Sequence, residues 1–94
     1  MSDSYQKLGE LIEFPALIGL RVIVDAHDNF ALDKVKGLID NIEPNSLKEI
    51  TDPSRKSSNG NYISHTVPVL VKSKEHLKKL YVKISALDCV KHVI

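Results

Sequence analysis

The sequence predicts an α+β fold of order βαββαβ, with a four-stranded antiparallel sheet in the order 4-1-3-2 and two helices on one face. Three observations predict it. Apolar residues alternate at period two over 17–24 and 62–71, as in strands with one buried face. Two other stretches, 30–42 and 74–87, repeat apolar residues every third or fourth position, as in helices packed along one stripe. A Gly60 preceded by Asn59 marks a hairpin between the second and third strands. Right-handed crossovers then place the first and third strands at the centre and the other two at the edges. This arrangement is a ferredoxin-like plait, a single domain over 15–94 preceded by a tail or short helix over 1–14.

Each element has its own local reason. Leu8, Leu11, Ile12 and Phe14 allow about one helical turn before Pro15 stops it. In the first strand Ile18, Leu20, Val22 and Val24 share a face, with Arg21 opposite. The polar loop Asp25-Ala26-His27-Asp28-Asn29 offers Asp28 or Asn29 as a cap for the first helix. That helix aligns Leu32, Val35, Leu38, Ile39 and Ile42, and Pro44 ends it. A weaker strand over 47–56 contains Pro53, which cannot donate to a ladder, so it belongs at an edge. Asn59-Gly60 suits the positive φ angles of a type I′ turn.

In the third strand Ile63, His65, Val67, Val69 and Val71 face one way. Tyr62, Ser64, Thr66, Pro68 and Leu70 face the other. Pro68 in a central strand calls for a bulge, or for a stretch with no neighbour on its nitrogen side. Ser73 caps the second helix, which turns Leu77, Leu80, Tyr81, Ile84 and Leu87 inward and Lys74, Lys78, Lys79 and Lys83 outward. A short strand from Cys89 to Val93 closes the sheet.

Composition narrows the function classes. The chain has 94 residues, 43% hydrophobic and 27% charged, with a formal charge of +1. This is one ordinary globular domain, without the strong positive charge of many nucleic-acid proteins. One cysteine supports neither a disulfide scaffold nor a cysteine-based zinc module. No membrane span or secretory signal is visible, so a cytoplasmic location is expected. Charge is unevenly divided. Residues 1–47 hold four bases and eight acids, a net of −4, and residues 48–94 hold nine and four, a net of +5. Asp33 and Asp40 on the first helix are therefore expected to pair with lysines on the second, at roughly 0–1 kcal/mol for each exposed pair.

Catalytic and metal signatures are sparse. His27, His65, His76 and His92 have wide, irregular spacings, so neither a metal site nor a cofactor is expected. Cys89 adjoins Asp88, whose charge disfavours a thiolate, and reads as structural. No serine–histidine–aspartate arrangement or phosphate loop is visible, and no enzyme is expected. The third strand offers a single aromatic, Tyr62, on its open face, which argues against RNA binding. The best candidate surface is the hairpin tip Arg55, Lys56, Ser57, Ser58, Asn59, Gly60, Asn61 and Tyr62. Its cations, hydroxyls and turn amides suit a partner protein or an anion.

Several stretches carry a family resemblance. Leu8 to Pro15, the strand with Arg21, the turn Ser57-Ser58-Asn59-Gly60-Asn61-Tyr62, the run Glu75-His76-Leu77-Lys78-Lys79-Leu80-Tyr81, and the ending Val90-Lys91-His92-Val93-Ile94 resemble the YbeD-like family of small, uncharacterised bacterial proteins. The resemblance implies an ACT-like form of the plait, a regulatory module that often binds amino acids. The chain departs from the family in a longer segment from Thr51 to Lys56 and in His65, where an aliphatic residue is usual. It departs from an ACT ligand site in having no glycine in the loop from Asp25 to Asn29. The expectation is a non-catalytic regulatory or adaptor domain, a monomer or weak homodimer, whose partner is another protein, with a small-molecule effector as a further option. The alternative is an amino-acid-like sensor working as an edge-to-edge homodimer.

Overall fold

A computed structural model describes residues 13–94, and most of the expected N-terminal tail or short helix lies outside them. The first strand, β1, runs Ala16–Asp25, and the first helix, α1, runs Ala31–Ile42. Two short residues of edge strand form β2, Arg55–Lys56, and β3 runs Tyr62–Val71. The second helix, α2, spans Lys74–Ser85, and β4 spans Val90–Val93. The sheet is antiparallel with order β2-β3-β1-β4, the same order the sequence predicts when read from the opposite edge.

Period-two alternation sets which face of the sheet is covered. Leu20, Val22 and Val24 of β1 and Val67, Val69 and Val71 of β3 are buried beneath the helices. Ala31, Val35 and Ile39 of α1 and Leu77, Leu80, Tyr81 and Ile84 of α2 close over them. Each fully buried aliphatic side chain contributes about 1.5–3 kcal/mol relative to exposure, so this single layer supplies the main driving force of folding. β1 and β3 pair without a register break from Ala16 opposite Val71 to Asp25 opposite Tyr62.

The caps follow the sequence closely at one helix and less so at the other. Ser73 Oγ accepts from the His76 backbone N–H at 3.1 Å, as expected for α2. At α1 the adjacent flanking residue is Phe30, which makes no side-chain cap. Asp28 acts from two residues before it, accepting from the Phe30 N–H at 2.9 Å and pairing with Lys34 at 2.8 Å. The α1 terminus before Pro44 is extended at Glu43, as the residue before a proline prefers.

Two expectations about the second strand and its hairpin need correction. No continuous strand occupies 47–56. Leu47 bridges Val69 at one end, and Arg55 pairs with Ser64 at the other. Eight residue steps on the edge therefore oppose five on β3, and the surplus loops away from the ladder. The reason lies in two prolines. Pro68 turns its carbonyl outward to accept from Lys48 N–H at 2.9 Å, so its nitrogen faces the same outer side and has no proton to offer. Pro53, in the departing segment, has none to return. Thus Pro68 needs no bulge, because the ladder is interrupted on its nitrogen side. The bulge sits instead in β4, where Lys91 is the extra residue between Val90 and His92.

The turn is also not type I′, which requires positive φ at both central residues. Gly60 has φ 77°, but Asn59 stays in the negative region. Ser57 accepts from the Gly60 N–H at 3.0 Å, with serine first and glycine fourth, as in a type I turn. The expected pairing of Asp33 and Asp40 with α2 lysines is likewise absent among the described residues. One ion pair joins the two helical units, Lys72 to Glu43 at 3.2 Å, just before α2 and just after α1.

Candidate functional site: the open face of the sheet

Both helices lie on one side, and no described helix or strand covers the other side of the sheet. The register assigns its residues. Leu17, Gly19, Arg21 and Ile23 of β1 stand opposite Leu70, Pro68, Thr66 and Ser64 of β3. Arg55 of β2 lies opposite Ser64, and His92 of β4 lies opposite Ile23. Gly19 has a packing reason, since a Cβ there would come within 3.2 Å of Thr66 Cγ2.

A basin of about 540 Å³ occupies the middle of this face, lined by Arg21, Ile23, Asp52, Pro53, Arg55, Ser64, Thr66 and Ile94. Its existence follows from the broken edge. Where the surplus residues leave the ladder, Asp52 and Pro53 form a wall beside β3 instead of extending the sheet. A shallower depression of about 180 Å³ continues from it over Leu17, Gly19 and Pro68, sharing Asp52 and Thr66.

Arg21 and Arg55 dominate the basin's chemistry. One strand separates them, and strand spacing with the two-residue offset puts their Cα atoms about 12 Å apart. That is close enough for two extended guanidinium groups to reach one anion between them. Neither forms a salt bridge among the described residues, whose ion pairs are Lys34–Asp28 and Lys72–Glu43. The Ser64 and Thr66 hydroxyls add neutral donors on the floor. Farther along the same face, Lys91 Nζ lies 6.0 Å from the centroid of the Tyr62 ring.

The hairpin residues divide between this face and a self-contained tip. Arg55 lines the basin, and Tyr62 sits at the Lys91 end of the same face. Lys56 pairs opposite Ile63 on the other side of the sheet. Ser57, Ser58, Asn59, Gly60 and Asn61 form the turn, and the N–H groups of Ser57, Gly60, Asn61 and Tyr62 are engaged within it. Asn59 Oδ1 accepts from Asn61 N–H at 3.1 Å and from Ser57 Oγ at 2.8 Å. Ser57 Oγ in turn accepts from Tyr62 N–H at 3.0 Å. Arg21, Ser64, Thr66 and Asp52 were absent from the sequence-derived site. The signal for the first three was their placement opposite the apolar face of two central strands.

The histidines are dispersed. His27 is in the β1–α1 loop, His65 is on β3, and His92 is on β4. His76 is buried in the first turn of α2, where its Nδ1 accepts from Lys72 N–H at 3.0 Å. That bond places the neutral ring's proton on Nε2, a buried atom with no hydrogen-bond partner among the described residues. Burial pushes the His76 pKa down, and the Lys72 and Lys79 charges add to this against an opposing influence from Glu43. Burial also lowers the pKa of His65. Cys89 is buried, and burial followed by the Asp28 charge raises its thiol pKa. Among the described residues no three metal-ligating side chains converge, and no helix is long and apolar enough to cross a membrane.

Comparison with known proteins points to a family. Residues 9–94 match the family described as "Protein of unknown function (DUF493)". Proteins named UPF0250 are similar along nearly their whole length. One from Shewanella loihica is 39% identical over 88 residues, covering 94% of this chain and 96% of the relative. Others from Shewanella piezotolerans and Shewanella halifaxensis are 38% and 35% identical over the same length and coverage. The chain therefore belongs to the DUF493 family, the YbeD-like group that its hairpin, second helix and C-terminal residues resemble.

Proposed function

We propose that this chain is a non-catalytic, ACT-like regulatory or adaptor domain that binds another protein through the open face of its sheet. The observation that carries this reading is the basin holding Arg21 and Arg55, with Ser64 and Thr66 between them. Its side chains are those of recognition. Guanidinium groups make directed, forked hydrogen bonds but stay protonated at any ordinary pH, so they bind charge and do not shuttle protons. No histidine or cysteine is among the described residues lining the basin: His76 and Cys89 are buried on the helix side, and His92 lies beside the basin on β4.

The test is capture from the extract of the protein's own cell. Wild-type protein should retain a partner that the Arg21→Gln/Arg55→Gln double variant loses, with the melting temperatures of the two within a few degrees. Equal capture by both would refute a role for this face. A second reading, a small-molecule sensor acting as an edge-to-edge homodimer, has one supporting observation. Among the described residues, β4 ends the sheet with no strand beyond it. Sedimentation across a range of concentrations separates the readings, because a strictly monomeric protein is incompatible with that homodimer.

A further inference from the structure

We infer that the occupant of the open face is an extended, acidic segment of the partner protein, with one carboxylate between Arg21 and Arg55 and an apolar side chain over Leu17, Gly19 and Pro68. This rests on the binding-module reading above and names the chemistry of its partner.

Charge complementarity selects the carboxylate. Arg21 and Arg55 bring two positive charges to the basin and Asp52 brings one negative charge. Among the lining side chains the remainder is a single positive charge, suited to one carboxylate rather than to a run of phosphodiesters. Among the described residues no aromatic ring lines the basin, so they offer no stacking platform of the kind a single-stranded nucleic-acid site uses. The one aromatic on this face of β3, Tyr62, is beneath Lys91.

Shape selects a protein segment over a small acid. The basin and its continuation are open to solvent along the sheet, whereas small-molecule sites typically bury about 70–90% of their ligand. From Leu17 to Ile23 the face extends about 20 Å along β1, the length of roughly six extended residues. The two depressions meet at Asp52 and Thr66, so a segment lying along the strands contacts both. Leu17 is 64% exposed, apolar surface that a partner's side chain would cover.

The test uses capped synthetic hexapeptides, each with one Glu and one Leu at varied separation on an Ala/Ser background. Matched controls carry Gln in place of Glu. Binding to the full chain is followed by backbone amide NMR shifts. The expected result is that at least one Glu–Leu peptide shifts Arg21, Thr66 and Leu17. Its Gln counterpart should bind about tenfold more weakly or worse, because charge-assisted hydrogen bonds are lost. Arg21→Gln/Arg55→Gln should erase the difference between Glu and Gln peptides while the melting temperature is retained. Equal binding of Glu and Gln peptides would overturn the inference. So would tighter binding of acetate, a phosphopeptide or single-stranded DNA at the same amides, or association of a second copy through this face. The capture experiment distinguishes the two levels of failure. A partner that needs both arginines, with no Glu peptide binding, overturns the acidic segment and leaves the binding module standing. Capture indifferent to both arginines overturns both.

Discussion

Exchanging valine and threonine in opposite directions at two positions of β3 tests the two-sidedness of the sheet. Val69 is fully buried under the helices, and Thr66 lies three residues away on the basin side. Val69→Thr replaces a methyl in a closed apolar layer with a hydroxyl. Burying a hydroxyl without a good partner costs about 1–3 kcal/mol, so the loss should be about 2 kcal/mol. For a domain of this length that lowers the melting temperature by roughly 8–16 °C. Thr66→Val makes the reverse exchange, keeps the β-branched shape and disturbs no buried layer. Its effect should stay within about 0.5 kcal/mol of zero. Thermal and urea unfolding followed by circular dichroism at neutral pH would measure both. Equal losses, or a larger loss at Thr66, would mean that both faces of the sheet are covered and that the basin is not an open surface.

Other consequences concern single groups. Ser73→Ala removes the acceptor at the start of α2 and should cost about 1 kcal/mol in urea unfolding, with Ser73→Asp recovering most of it. The lowered pKa values of His65 and His76 make stability depend on pH with a definite sign. Above the unfolded histidine value near 6.5, both states are neutral and the contribution is constant. As pH falls through that value the unfolded chain takes up protons that the folded chain resists, so stability should fall on acidification. His65→Val should flatten that fall, measured by urea midpoints at several pH values. Cys89, only 6% exposed and with a raised thiol pKa, should react with a disulfide reagent far more slowly in the native protein than in denaturant.

The parts of the fold legible in the sequence were those where one local signal had no competitor. Val67, Val69 and Val71 can be buried together only in a strand, and Leu77, Leu80, Tyr81 and Ile84 only on a helix. Ser73 had one role available at its position. The edge between Leu47 and Lys56 was harder to read because its apolar residues suggest a strand while two prolines remove its ladder. Pro53 is nearby in the same segment, but Pro68 acts from the neighbouring strand, a tertiary effect that period-two counting does not register. The same competition hid the basin. Arg21, Ser64 and Thr66 were assigned to the open face from alternation alone, yet their enclosure depends on where Asp52 and Pro53 loop out. At the hairpin tip, the Asn59 and Ser57 side chains take up the Asn61 and Tyr62 amides, a local use that composition does not distinguish from ligand binding. Polar turn residues serve their own backbone before they serve a ligand.

The most direct test of the open face as the working surface is site-specific photo-cross-linking in the protein's own cell. One photoreactive residue is placed at Ser64 on the basin floor and another at Val82, exposed on the outer side of α2. A discrete adduct with a second protein is expected from Ser64, lost when Arg21 and Arg55 are replaced by Gln, and none from Val82. An adduct from Val82 alone, or one from Ser64 that survives loss of both arginines, would contradict a working role for the open face.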